Sequence, residues 1–188
     1  MNIPNILTLL RIILIPVFVG TFYLPWSAAN EITTIIFALA VATDWFDGYL
    51  ARRWNQTSAF GAFLDPVADK LIVSTALVFL VQANPSPWMA IPAAVIIGRE
   101  ITISALREWM AEIGQRTKVA VSMVGKIKTT AQMTALLLLL YNEPFLTWPI
   151  YEIGFVLLYI AAILTLWSMI VYLRAAVPIL MENAAANK

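Results

Sequence analysis

Three stretches of this chain, 12–29, 71–98 and 153–173, run for 18 residues or more without a charged side chain. Apolar runs of about that length suit helices that cross a bilayer, where every backbone polar group must be satisfied within its own segment. Hydrophobic residues make up 61% of the 188 and charged residues 12%, against roughly 25% charge in an average soluble domain. The expected fold class is therefore all-α: a polytopic membrane protein of six transmembrane helices in one domain, 1–188. The spans are expected near Ile6–Leu24, Ile32–Leu50, Asp65–Gln82, Trp88–Met110, Val119–Tyr141 and Glu152–Leu173. Pro25, "NPSP" at 84–87 and "NEPFLTWP" at 142–149 read as turns, and Gly114 as the close of the fourth helix. "MNIPNILTLLR" has no basic leader and no small-residue cleavage pattern follows it, so the first helix is expected to be retained.

The connections 25–31, 83–87 and 142–151 carry no Lys or Arg, whereas Arg52, Arg53, Arg116, Lys118, Arg174 and Lys188 fall on the opposite side. By the positive-inside rule both termini are expected in the cytoplasm, and tryptophans near the span ends fit an interfacial belt. The chain holds no Cys and no His. Disulfides, thiolate metal sites and imidazole acid–base chemistry are thereby excluded, and any metal or proton must be handled by carboxylates. The net charge of +1 says nothing about partners, so the distribution of charge is read instead; no nucleic-acid partner is expected.

Against that background, "DWFDGYLARRWNQTSAFGAFLDPVADK" at 44–70 places four aspartates at the expected cytoplasmic face. On a helix Asp44, Asp47, Gly48 and Ala51 share a side with Arg52 at its flank, and Asp65 and Asp69 lie one turn apart. Pro66 suits a first helical turn, with Asp65 as its cap. One reading of the cluster is an ion-pair network with Arg52, Arg53 and Lys70. The other is a site for two hard divalent cations, Mg²⁺ or Mn²⁺, which all-oxygen ligands suit and which stabilise charge on a pyrophosphate and its leaving group. Gly48 and Gly61 either let phosphates approach the backbone or serve helix packing.

Residues 44–69 fit D-x2-D-G-x2-A-R-x8-G-x3-D-x3-D without departure, through Asp44, Asp47, Gly48, Ala51, Arg52, Gly61, Asp65 and Asp69. In this the chain resembles the CDP-alcohol phosphotransferases. The resemblance implies a six-helix membrane enzyme, commonly a homodimer, whose cavity opens to the cytoplasm and holds two divalent ions. It implies that Asp44, Asp47, Asp65 and Asp69 bind metal, that Asp69 also deprotonates the acceptor hydroxyl, and that Gly48, Arg52 and Gly61 contact the CDP moiety. "PNILTLLR" is similar to the family's N-terminal segment, where Asn5 and Thr8 add polar contacts to the nucleotide. A helix cap at Asn5 and an ordinary membrane-helix threonine at Thr8 are the competing readings.

The acceptor is read from later spans. Glu100, Ser104 and Arg107 share a helical face with Arg99 at its edge, and Lys126 and Thr130 lie one turn apart. Arg99 lies deep enough to require Glu100 or an anionic ligand as partner. Arg99, Arg107 and Lys126 are the candidates for an acceptor phosphate. Lys128, Arg116 and Lys118, and Arg107 as an alternative role, read as interfacial anchors. "GREITISALREWMAEIG" and "GKIKTTAQM" are similar to bacterial members of the family that join CDP-diacylglycerol to sn-glycerol 3-phosphate in the inner membrane, giving phosphatidylglycerophosphate and CMP. Another acceptor, inositol phosphate or phosphatidylglycerol, and a divalent-cation transporter are the alternatives. The segment after Arg174 carries no legible chemistry and is expected at the interface.

Overall fold

The computed structural model describes residues 3–54, 59–114, 123–143 and 148–186, with side chains for all of these except 3–5, 47–52, 59–60, 62, 123–124, 126 and 179–186. Six α-helices carry the described chain: α1 (Ile3–Phe22), α2 (Ala29–Trp54), α3 (Ala59–Ala83), α4 (Pro87–Glu112), α5 (Met123–Tyr141) and α6 (Ile150–Ala186). No strand occurs among the described residues. Among the described residues two segments, Pro87–Glu112 and Ile150–Pro178, are long and apolar enough to cross a membrane, and Ile6–Phe22 and Ile127–Tyr141 form shorter apolar helices.

The helices pack as a bundle in which α5 lies along α6, α1 along α2, and α4 and α3 join the two pairs. Aromatic rings fill the contact of α1 with α2 and α3. Phe22 stacks on Phe79 at 4.3 Å between centroids, Phe18 on Phe79 at 5.5 Å, and Phe18 reaches Phe37 at 5.9 Å. Such pairs add about 0.5–1.5 kcal/mol each beyond the area they bury. Leu136, Leu139, Leu158 and Ala162 carry the buried core between α5 and α6.

Polar side chains clamp the end of the bundle that holds the connections before α2, α4 and α6. Tyr23 donates to Gln82 Oε1 at 2.6 Å, the Asn84 amide donates to the Tyr151 hydroxyl, and Tyr159 donates to the Trp88 carbonyl at 2.8 Å. Ser86 caps α4 by accepting from the Met89 amide, with Pro87 in the first turn where its missing N–H costs nothing. Gly114, at φ 72°, follows the C-cap Ile113 and bonds back to the Ala111 carbonyl at 3.1 Å. This is the left-handed stop that glycine allows.

Two boundaries differ from the sequence expectation. Helix α3 starts at Ala59, six residues ahead of Asp65, so Pro66 lies inside it and Asp65 is not its cap. "AFGAFL" is itself compatible with helix, and a proline inside an apolar helix costs one bond, here to the Ala62 carbonyl, that a bundle tolerates. Helix α6 continues past Arg174 and through Pro178 for 37 residues in all, or about 55 Å at 1.5 Å per residue. The cation at 174 marks the end of the apolar run and not the end of the helix, because the residues beyond it are largely good helix formers.

Close contact between α5 and α6 depends on Gly154. A Cβ there would stand 3.0 Å from Leu138 Cβ and 3.2 Å from the Leu139 amide nitrogen. Gly154→Val is expected to destabilise the protein by about 1–3 kcal/mol through overpacking, seen as a lower thermal midpoint in detergent.

Candidate active site

The first helix, apolar over most of its length, carries Thr8 and Arg11 on one face. Arg11 is 0% exposed. Its Nη1 lies 3.0 Å from Asp44 Oδ1 on α2 and 3.5 Å from Asp69 Oδ1 on α3. One turn away Thr8, also buried, donates to Asp65 Oδ1 at 2.5 Å. Thus α1 supplies a polar partner to three of the four motif aspartates. Asp44 and Asp69 nonetheless keep 41% of their side chains exposed, so a ligand can reach them.

Asp44 and Asp69 each direct an oxygen at the same nitrogen. The two carboxylates are therefore sited to share one centre of positive charge, and their all-oxygen donor set suits a hard divalent cation. Among the described residues no three carboxylates form a ready-made cage. Gly61 is buried in α3. Asn5, Asp47, Gly48 and Arg52 lie on helical backbone, with their side-chain positions outside the described residues, as is that of Lys126. Arg116, Lys118 and Lys188 lie outside the described residues altogether.

Beside the aspartates, α3, α4, α5 and α6 enclose a cavity of about 270 Å³. Asp69 and Lys70 line it from α3, Arg99, Glu100 and Arg107 from α4, Lys128 and Gln132 from α5. Glu100 Oε1 accepts from Arg99 at 2.8 Å and from Lys128 at 3.3 Å. Lys70 donates to the Ser104 hydroxyl, which in turn donates to the Glu100 carbonyl at 2.6 Å. Arg107 donates to the Tyr172 hydroxyl at 3.3 Å and lies 5.4 Å from that ring. Four cations thus face two carboxylates, Asp69 and Glu100, leaving an excess of two positive charges around the space.

The descriptive family model "CDP-alcohol phosphatidyltransferase" matches residues 1–167. The chain belongs to that family. Curated relatives cover it almost end to end. A Salmonella paratyphi A protein is 58% identical over 93% of this chain and 94% of its own length. One from Pectobacterium atrosepticum is 58% identical over 96% and 98%, and one from Shigella flexneri serotype 5b is 57% identical over 93% and 94%. All three are named CDP-diacylglycerol–glycerol-3-phosphate 3-phosphatidyltransferase. With its apolar helices, this CDP-alcohol phosphatidyltransferase family member is a membrane protein.

Two functional candidates escaped the sequence reading. Arg11 is the only charged residue in the first 30, and an isolated cation in an apolar helix signals a buried partner. Lys128 reads as an anchor, yet it is 6% exposed and bonded to Glu100; its i+4 spacing to Gln132 was the available signal that it faces inward. Arg99 meets the expected Glu100. If Arg11 couples α1 to α2 as its geometry states, Arg11→Met and Asp44→Asn are expected to be non-additive by about 1 kcal/mol or more. Thermal unfolding of both single variants and the double variant measures this, and strict additivity would break the link.

Proposed function

We propose that this chain transfers the phosphatidyl group of CDP-diacylglycerol to sn-glycerol 3-phosphate, yielding phosphatidylglycerophosphate and CMP for phosphatidylglycerol and cardiolipin synthesis. The observation that carries the reading is the cation-lined cavity with Asp69 in its wall, in a chain whose relatives bear that name. An excess of two positive charges matches a phosphate monoester, which carries about −1.5 to −2 at neutral pH. A cavity of about 270 Å³ lies below the roughly 300–1,000 Å³ of drug-sized sites. It suits a small polyol phosphate better than a second phospholipid. Inositol phosphate shares the charge and is the nearest rival; the transporter reading gives no role to the basic wall.

In this reaction the primary hydroxyl oxygen of the acceptor bonds to the lipid-bearing phosphorus, and the bond from that phosphorus to the CMP oxygen breaks. Asp69 takes the hydroxyl proton. Arg99, Arg107 and Lys128 hold the acceptor phosphate, with Lys126 as a further candidate, and so fix the hydroxyl against Asp69. Asn5, Thr8, Gly48, Arg52 and Gly61 form the CDP end. Asp44, Asp47, Asp65 and Asp69 would hold two divalent ions, Mg²⁺ or Mn²⁺, and the ions would supply positive charge to offset that of the pyrophosphate. Arg11 and Thr8 keep three of those carboxylates aimed.

The reading places all six helices of a single domain across a bacterial inner membrane, with both termini and the aspartates on the cytoplasmic side. The absence of Lys and Arg from the connections 25–31, 83–87 and 142–151 supports that orientation. The assembly is a homodimer by family resemblance. Purified protein with CDP-diacylglycerol and Mg²⁺ is expected to release CMP only when glycerol 3-phosphate is added, and chelation is expected to stop it. Asp69→Asn is expected to lower kcat by roughly 10²–10⁴-fold with the protein still folded. CMP release with serine or inositol phosphate alone would overturn the acceptor.

A further inference from the structure

Glycerol 3-phosphate presents three polar groups in a row: the phosphate, a secondary hydroxyl and the primary hydroxyl that reacts. Cations at one part of the cavity answer the first, and Asp69 answers the last. The middle group needs a partner of its own.

Most acceptors on the cavity wall already have donors or are charged. Glu100 Oε1 receives Arg99 and Lys128, Asp69 faces Arg11, and the Tyr172 oxygen receives Arg107. The Ser168 hydroxyl accepts from Arg99 at 3.5 Å, and that of Thr129, which donates to the Gly125 carbonyl, belongs to an exposed residue. Gln132 differs. It lines the cavity, is 5% exposed, and its Oε1 is buried with no hydrogen-bond partner among the described residues. A buried carbonyl oxygen left without a donor is costly and rare.

Resting on the acceptor reading above, we infer that Gln132 is a specificity-determining residue whose amide oxygen accepts from the secondary hydroxyl of the acceptor. An amide oxygen only accepts, and a dianionic phosphate has no proton to donate, so the ligand group that satisfies it is a hydroxyl. Gln132 lies one helical turn beyond Lys128 on the same face of α5. A phosphate held by Lys128 therefore leaves the adjoining carbon of a short polyol near Gln132. The torsion at the end of the side chain is soft, which lets the oxygen turn toward that hydroxyl. An acceptor with a phosphate and one terminal hydroxyl but nothing between them leaves the oxygen unsatisfied, as sites built to bond a hydroxyl do when it is missing.

The test compares sn-glycerol 3-phosphate with 3-hydroxypropyl phosphate, which keeps the phosphate and primary hydroxyl and lacks the secondary one. CMP release from CDP-diacylglycerol in detergent gives kcat/KM for each. The wild-type protein is expected to favour glycerol 3-phosphate by about ten- to a hundredfold. Gln132→Met is expected to bring the ratio close to one by losing activity on glycerol 3-phosphate alone. Gln132→Glu keeps an acceptor oxygen and is expected to retain the preference, even if its charge weakens both phosphates equally. A residue that merely holds a structural water leaves the ratio unchanged. An unaltered ratio in Gln132→Met overturns the inference while the acceptor reading stands. A wild-type ratio near one does the same without any variant, which covers a Met variant that does not fold. A wild-type protein that turns over neither compound overturns the acceptor reading and the inference together.

Discussion

Removing a guanidinium from water is so unfavourable that the groups around it become constrained in turn. In this bundle the guanidinium of Arg11 is wholly enclosed, and carboxylates on α2 and α3 stand within ion-pair distance of one of its nitrogens. Slipping any of the three helices by a turn, about 5.4 Å, would leave the charge facing hydrocarbon. The pair of contacts therefore fixes the register of α1, α2 and α3. Thr8 adds a second polar pin one turn away, on Asp65. The carboxylates proposed to carry the chemistry are thus also the groups that position the first half of the fold.

The second half follows a different logic. There the charges surround a cavity instead of a single ion pair, and Glu100 spaces Arg99 from Lys128 by bonding to both. Without it two cations would repel across a low-dielectric space, where Coulomb interactions are least screened. A carboxylate among so many cations looks contradictory on charge alone. Its place is explained by the need to hold the cations apart, and under the proposed function a phosphate would join them.

Much of this was legible from residue order. Six helical segments follow from three charge-free runs together with the turn residues between spans, and the aspartate spacing marks the half of the site proposed to hold the donor. Gly114 announced the end of α4 by its residue type, and it does follow the C-cap there in the left-handed conformation. What sequence conveys poorly is depth and facing. Asp65 next to Pro66 resembles a helix start, and only the preceding apolar residues, which join α3, show otherwise. Lys128 looks like any interfacial lysine until α4 is laid against it and Glu100 appears opposite. Arg11 belongs to no cluster in the linear chain, because its partners lie 33 and 58 residues away. Contacts of that separation are set by tertiary packing, which local periodicity does not encode.

Helix α3 has one property that reaches beyond the present chain. Asp69 and Lys70 are consecutive residues on it, the first paired with the Arg11 cluster and both lining the basic cavity. The spacing of the two side chains that α3 gives to the site is consequently set by covalent geometry. Under the proposed function, side chains of α4, α5 and α6 can then be exchanged by mutation, admitting a different alcohol, while the half proposed to face cytidine remains undisturbed. Such a layout lets a lineage diversify its products by altering one wall at a time.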